Sequence, residues 1–370
     1  MDAPFALYGA GKLGLMALDF FRHVGLAPNM VVDANAANLA TESPWNRLSM
    51  MAPAEVADAV QRDLPLVVSI ATSRFADLAQ TLKSQGWRDV IPFYDVTEAY
   101  RDRYPLGNGW FMAHLDASSR ESIERVLANW YDDQSRAHHL QFMAWHRLRQ
   151  DWCFESAPVD QDHRYFIPEV ASVLNGRENF VDAGAHRGEI ARAFRQRLTD
   201  QFESILMLEP DLANAAVIEA ELLELPLNVR KRHRLLKLAL SDQAGCLPFF
   251  PGLGYASQLT DMGKETAEAV TLDELAVAPS FIKLHLEGHE LEALRGGLAT
   301  LRQHRPILAM TAYHNEAGLW PLPAWLMDNL TSYRHYFRLH SWCGTGAVIY
   351  CVPEERYEAS PGDPPAGATS

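Results

Sequence analysis

The chain has 370 residues, enough for two domains that each bury their own core. It is 48% hydrophobic and 22% charged, the composition of an ordinary globular protein. A formal charge of −14 argues against binding nucleic acid or an anionic membrane through a general basic surface, because both need clustered Lys and Arg.

In chain order, the first hundred residues alternate strand and helix patterns. Phe5–Tyr8 is a short apolar run ending in Gly9-Ala-Gly-Lys-Leu-Gly14, and a helix follows with Leu15, Leu18, Phe21 and Val24 on one face, stopping near Gly25. Met30–Val32 reads as the next strand, Ala54–Gln61 as a helix, Leu66–Ile70 as a strand, Phe75–Gln85 as a helix and Val90–Tyr94 as a closing strand. Such alternation predicts a parallel sheet with helical crossovers. Gly9, Gly11 and Gly14 follow a strand and open a helix, and Asp33 comes 19 residues after Gly14, which meets the fingerprint for dinucleotide binding. The unit is about half a Rossmann domain, so it reads either as a recognition module for a nucleotide or nucleotide sugar or as a docking domain whose glycines only allow tight packing.

Tyr104-Pro-Leu-Gly-Asn-Gly109 is the first strong break. Ser119–Trp152 lacks a strand pattern and predicts one or two helices, with Trp130, Tyr131, Phe142, Trp145 and Leu148 as packing residues. From Tyr165 strand–helix alternation resumes and runs to about Val352; Pro353–Ser370, rich in Pro, Gly, Ala and Glu, is expected to be a disordered tail. The expected division is therefore 1–105, an N-terminal Rossmann-like half-domain; 106–164, a helical linker; 165–352, a second α/β domain; and 353–370, the tail. The basic run Arg230–Arg234 reads as a solvated strand entrance rather than a phosphate site. Cys153, Cys246, Cys343 and Cys351 have no CxxC spacing, which fits reduced thiols. Neither a signal peptide nor a membrane span is visible, so a soluble, cytoplasmic protein is expected.

Within the second domain, Phe180 and Val181 enter from a buried strand with Asp182 at its carboxyl end. Gly184 lets the backbone approach a ligand closely, and Gly188 admits the helix Glu189–Arg197, whose first N–H groups can meet a carboxylate. The next strand, Ser204–Leu208, ends in Glu209-Pro210, where an acid can accept both hydroxyls of a ribose. Leu236–Leu240 reads as a third strand leading to the turn Ser241–Gly245, and Phe281–Glu287 as a fourth, before the helix Glu290–Leu301. Taken alone, a glycine-rich strand–helix turn with a later acid suits NAD, a flavin or S-adenosylmethionine.

The ordered set VDAGAHRG (181–188), LEP (208–210), ALSD (239–242), TLDEL (271–275), IKLHLEGHELEALRGG (282–297) and RPILAMTAYH (305–314) resembles the FkbM family of S-adenosylmethionine-dependent methyltransferases. Tyr165-Phe166 and the N-terminal LYGAGKLG are similar to longer members with an added Rossmann-like domain, so the resemblance covers nearly the whole chain. It implies a C-terminal class I (Rossmann-like) methyltransferase domain with S-adenosylmethionine as cofactor, and O-methylation of a sugar, glycan or other hydroxylated metabolite. By the same resemblance, Asp182, Gly184, Ala185 and Gly188 would surround the methionine part of the donor. Glu209 would hold its ribose, and Leu240, Ser241 and Asp242 would lie near its adenine.

Methyl transfer to a hydroxyl needs an aligned acceptor and a base or metal to take its proton. Alternation along Ile282–Glu287 places Lys283, His285 and Glu287 on one face, at the end where an acceptor approaches. The family pattern is Lys-x-Asp-x-Glu-Gly, and His285 stands in the aspartate's place. It reads as a general base, as a partner of Glu287 or Lys283 in an altered site, or, with less weight, as a ligand for a divalent metal softer than Mg²⁺. His314 is the second acid–base candidate, against a role as a core hydrogen-bonder. His289 reads as exposed, because His285-Leu-Glu-Gly-His289 is not a zinc-protease motif. In Gly252–Gln258, a hairpin insertion, Ser257 could reach donor or acceptor or be a plain turn residue, and Trp320–Trp325 reads as a pocket wall or a helix start. The competing functions are a non-catalytic binding protein on the donor fold and, more weakly, a nicotinamide-dependent oxidoreductase using Gly9–Gly14.

Overall fold

Two parallel sheets organise the computed structural model, which describes residues 4–104, 108–113, 115–251 and 257–358. The chain divides into two compact units: Met1–Ala113 with Ala144–Cys153 and Ser341–Thr345, and His114–Met143 with Phe154–His340 and Gly346–Ser370. The helices Ala117–Asn129 and Asp133–Leu148 account for the segment read as helical, and Trp130, Phe142 and Trp145 in it are buried while Tyr131 and Leu148 are exposed.

In the first unit, strands β1 (Ala6–Tyr8), β2 (Met30–Val32), β3 (Met50–Met51), β4 (Leu66–Val68) and β5 (Val90–Pro92) form an all-parallel sheet in the order β3-β2-β1-β4-β5. These strands are short apolar runs because a parallel sheet is covered on both faces. The two-residue β3 lacks any alternation and was not predicted. The helix Lys12–Val24 buries Met16, Ala17, Phe20, Phe21 and Val24, whereas Leu15 and Leu18 lie at its margin. A helix turns every 3.6 residues, so its buried stripe follows steps of three and four rather than three alone. It ends at Gly25, in the left-handed region at φ 79°, where the Gly25 N–H closes on Arg22.

The second unit holds a seven-stranded sheet in the order β15-β16-β14-β13-β6-β7-β8. Its members are β6 (Asn179–Ala183), β7 (Ser204–Leu208), β8 (His233–Leu236), β13 (Phe281–Leu284), β14 (Ile307–Thr311), β15 (Tyr333–Leu339) and β16 (Ala347–Pro353). Pairing is parallel from β14 to β8, and β16 runs antiparallel between β14 and β15. A side sheet, β11-β10-β12-β9, comprises β9 (Ala239–Leu240), β10 (Gly245–Phe250), β11 (Gln258–Leu259) and β12 (Glu265–Val270). The expected single strand Leu236–Leu240 is thus two: the chain leaves the main sheet after Leu236, and Ala239 pairs with Ala269 instead. β10 and β11 form the antiparallel hairpin expected there, with Gly252–Ala256 outside the described residues.

Phe180 on β6 and Phe281 on β13 stack at 4.9 Å between ring centroids, and Phe166, Phe194 and Phe202 extend this aromatic core. Packing of this kind holds β6 and β13 side by side, so the two loops that follow them emerge together. In the basic run, Lys231 and Arg234 are exposed, but Arg232 is tied down, donating to the carbonyls of Phe202 and Asp200 at 2.5 and 2.9 Å. All four cysteines are free, Cys343 and Cys351 buried, Cys153 and Cys246 exposed. Pro353 closes β16 and Glu355–Glu358 forms a helical turn; the rest of the predicted tail, 359–370, lies outside the described residues. Among the described residues, no helix is long and apolar enough to cross a membrane.

Candidate functional site

β6 and β13 are central neighbours in register, Asp182 beside Lys283 and Ala183 beside Leu284. Sheet geometry therefore places these two side chains against each other. The Lys283 Nζ lies 2.9 Å from Asp182 Oδ1 and donates to the carbonyls of Gly184 at 2.7 Å and Ala183 at 3.3 Å. Both residues are buried, and burial raises the Asp182 carboxyl above its usual range against the pull of Lys283. The alternation expected through Glu287 ends with the strand at Leu284: His285 and Glu287 lie in the loop, and Glu287 takes a left-handed φ of 53°. Lys283 thus turns to Asp182 and pins the glycine loop.

That loop touches the end of β13 directly. Gly184 sits at φ 69°, and a Cβ there would meet the His285 carbonyl oxygen at 1.9 Å. The Gly184 and Ala185 amides donate to the Leu208 carbonyl at 2.9 and 3.0 Å, so they hold β7. Gly188, at φ 77°, caps the helix Glu189–Arg197. His186 carries a left-handed φ of 53°, unusual for a side chain of its size, and such strain concentrates at functional loops.

Glu209 lies beyond the end of β7 and is 4% exposed. Its Oε2 accepts from the His186 amide at 2.6 Å and its Oε1 from the Asp211 amide at 2.9 Å. Burial pushes its carboxyl up to about 7 despite these two donors. Each oxygen keeps a lone pair, so the carboxylate can still accept two hydroxyls. Asp211, which the sequence reading passed over, caps the helix Leu212–Leu223 and also accepts from Ser257 Oγ at 3.0 Å. Leu240 and Ser241 are buried and Asp242 is exposed; Ser241 Oγ lies 3.2 Å from Asp242 Oδ1 and 3.0 Å from His289 Nε2. His289, expected to be exposed, is half-buried, with its Nε2 against Ser241 Oγ.

On the other side of the β13 loop, three side chains converge. His285 Nε2 is 3.4 Å from Glu287 Oε1, and His314 Nε2 is 3.2 Å from Glu287 Oε2. The His285 and His314 rings stack at 5.1 Å. Tyr165 Oη meets His285 Nδ1 at 2.9 Å, Tyr313 Oη approaches His285 Nε2 at 3.4 Å, and Arg164 donates to Tyr313 Oη at 3.1 Å. Burial, reinforced by the Arg164 charge, holds the His285 imidazole well below its usual range, so it is uncharged near neutral pH. Burial raises the Glu287 carboxyl against the opposing influence of His314.

Glu290 organises this loop from beneath. Its Oε1 accepts from the Leu286 amide at 2.8 Å and Thr311 Oγ1 at 2.6 Å and faces His314 Nδ1 at 3.5 Å, while Oε2 accepts from the Gly288 amide at 3.1 Å. Burial opposes its ionisation, but His314, Thr311 and the Leu286 amide outweigh burial and hold the carboxyl below its usual range. Sequence reasoning missed Glu290, Tyr165 as a His285 partner, and Arg164; an acid in a helix first turn is a common capping residue, so Glu290 carried no distinctive signal. Trp320 precedes the helix Pro321–Asn329, the plainer of its two expected roles.

In the first unit, Gly9 is at φ 99°, and a Cβ on Gly14 would meet the Gly9 carbonyl oxygen at 2.3 Å, whereas one on Gly11 would meet nothing within 4 Å. Asp33 Oδ2 accepts from Ala10 N in the glycine turn at 2.7 Å, and its Oδ1 accepts from Asn35 N at 2.8 Å.

Comparison with known proteins shows what the chain is similar to. Residues 182–336 match the family described as Methyltransferase FkbM domain. Methyltransferase FkbM from Methylobacillus flagellatus KT has a similar structure, with a TM-score of 0.69 at 18% identity, over 94% of this chain and 89% of that one. At that identity the likeness is one of fold, an α/β class I methyltransferase architecture. Precorrin-6y C5,15-methyltransferase from Geobacter metallireducens GS-15 aligns at 13% identity over 50% of this chain and 88% of its own, with a TM-score of 0.32. The N-terminal domain of human METTL16 in complex with SAH aligns at 10% identity over 69% and 96%, with a TM-score of 0.31. No curated protein sequence matches the chain significantly.

Proposed function

We propose, from the match of residues 182–336 to the FkbM methyltransferase domain family, that the chain transfers a methyl group from S-adenosylmethionine to a hydroxyl of a small-molecule or glycan acceptor. The observation that carries the reading is Glu209: a buried carboxylate beside the glycine loop, with a lone pair left on each oxygen and, among the described residues, no cation within ion-pair distance. Paired hydroxyls of a ribose supply the two donors this group lacks, so the residues present fit the donor. Gly184 and Gly188 give the loop its left-handed turns, at φ 69° and 77°, and Ser241 and Asp242 are the residues assigned to the adenine on this reading. When bound, S-adenosylmethionine supplies an activated methyl group, and the protein's own work is to align the acceptor and remove its proton.

Proton removal falls to the cluster at the end of β13. His285 is uncharged, its Nδ1 is held by Tyr165, and its Nε2 points to the same space as Glu287 and His314. A hydroxyl entering there has a neutral imidazole to accept its proton and a carboxylate to stabilise the imidazolium that results. The substitution of histidine for the family's aspartate thus keeps a base at the site.

Calorimetry with S-adenosylmethionine, its demethylated product and NAD tests the donor assignment. Both sulfur compounds are expected to bind the wild-type protein and to bind Glu209→Ala at least about tenfold more weakly, in line with the loss of hydrogen bonds to a charged group. Binding of NAD alone, or unchanged affinity in Glu209→Ala, would refute it.

A further inference from the structure

His314 poses a problem of lone pairs. Its side chain is 1% exposed and bracketed by two carboxylates, with Nε2 3.2 Å from Glu287 Oε2 and Nδ1 3.5 Å from Glu290 Oε1. Neither ring nitrogen makes a hydrogen bond of good geometry. A neutral imidazole has one N–H and one lone pair, so whichever nitrogen carries the hydrogen, the other sets a lone pair against a carboxylate oxygen. That repulsion disappears if a cation lies between ring and carboxylate. On the Glu287 side, His285 Nε2 arrives as a third donor atom, and the ligand atoms of His285, Glu287 and His314 all lie within 4.8 Å of one another.

We infer that His285, Glu287 and His314 form a binding site for a divalent transition-metal ion, with Zn²⁺, Co²⁺, Mn²⁺ or Fe²⁺ preferred to Mg²⁺. Two imidazoles and one carboxylate are the ligand set of such ions, and Mg²⁺ favours oxygen donors and retained water. The surroundings fit the same role. Ligating histidines normally give their other N–H to a carboxylate or a second polar group. Here Glu290 faces His314 Nδ1, and Tyr165 Oη lies 2.9 Å from His285 Nδ1. Both arrangements turn Nε2 and its lone pair toward Glu287. His285 and Glu287 keep 25% and 17% of their side-chain surface exposed, which leaves an open side for solvent or an acceptor oxygen. The site stands on these distances alone; only the ion's role rests on the methyl-transfer reading: with His285 Nε2 taken up as a ligand, the ion would bind the acceptor oxygen and ease loss of its proton in place of direct transfer to His285.

The test is calorimetry on the chelator-treated full chain with Zn²⁺, Co²⁺ and Mg²⁺ in turn, with Co²⁺ binding also followed by visible absorption. One equivalent of Zn²⁺ and of Co²⁺ is expected to bind, roughly 100-fold or more tighter than Mg²⁺. Binding should be lost in His314→Ala and Glu287→Gln and weakened roughly 10- to 100-fold in Glu290→Gln, the expected range for a group orienting a ligand. His285→Asp should swing the preference toward Mg²⁺, and that gain of binding cannot come from misfolding. No stoichiometric binding to the wild-type chain would overturn the inference. Wild-type affinity in His314→Ala, Glu287→Gln and His285→Asp would overturn it equally, by placing the ion elsewhere. Titration with the demethylated donor product in the absence of metal separates the two readings. If the product binds and metals do not, only the metal site falls; if metals bind and the product does not, the methyl-transfer reading falls.

Discussion

With Glu209 as the proposed ribose acceptor, a single carboxylate would tie cofactor affinity to pH. Burial raises its carboxyl to about 7 in the free protein, from a usual value of 4.5. Ribose hydroxyls donate, so they bind the ionised form; as pH falls through 7 the proton competes with them. Affinity for the demethylated donor product should therefore drop about tenfold between pH 8 and pH 6, and Glu209→Gln should bind weakly with a flat profile. Calorimetry at three pH values checks this, and a flat wild-type profile would remove Glu209 from the donor site. Glu209 was legible as a residue because an acid at the end of the second strand follows from the strand pattern. Its coupling to the His186 amide was not, since that bond needs the two loops in place. His285 was visible as a departure from the family pattern, but its partner Tyr165 is 120 positions away, beyond any local signal.

At the scale of elements, the two signature loops behave as one unit. The His285 amide donates to the Ala183 carbonyl at 3.1 Å, Lys283 clamps the Ala183 and Gly184 carbonyls, and Gly184 packs on the His285 carbonyl. Gly184→Ala would force a Cβ into backbone at 1.9 Å while demanding a left-handed conformation. It should cost at least about 2 kcal/mol of stability and abolish binding of the demethylated donor product. Urea unfolding and calorimetry read both effects; a wild-type midpoint would mean the loops are not joined. The strand–glycine–helix pattern marked both loops in the sequence. Where β13 stops was hidden, because period-two alternation continues in the letters after the strand has ended at Leu284.

For the molecule as a whole, buried histidines set the response to acid. Burial holds His138, His139, His335 and His340 down at about 4 and His146 at about 3, from a usual 6.5. A depressed imidazole stays neutral in the fold while the unfolded chain takes up protons, so its stabilisation is complete above about 6.5 and is lost as pH falls toward 4. Each contributes a slope of up to about 1.4 kcal/mol per pH unit in that window. Glu209, Asp182, Glu287, Asp95 and Asp151 work in the opposite direction, but with His233 and His285 also held down the histidines outnumber them. Thermal unfolding at pH 7.5, 6, 5 and 4 should show a steep fall in Tm below pH 6; a constant Tm to pH 4.5 would contradict this. By itself the sequence determined two α/β units, the cofactor-type loops and the acid that follows them, because apolar periodicity and glycine breaks are local properties of the chain. Only the tertiary structure decided which charges meet: Lys283 turned to Asp182 rather than to the acceptor side, and His285, Glu287 and His314 were gathered around one space. Strand register and packing of the Phe180–Phe281 core impose those meetings, and neither is written in any contiguous run of residues.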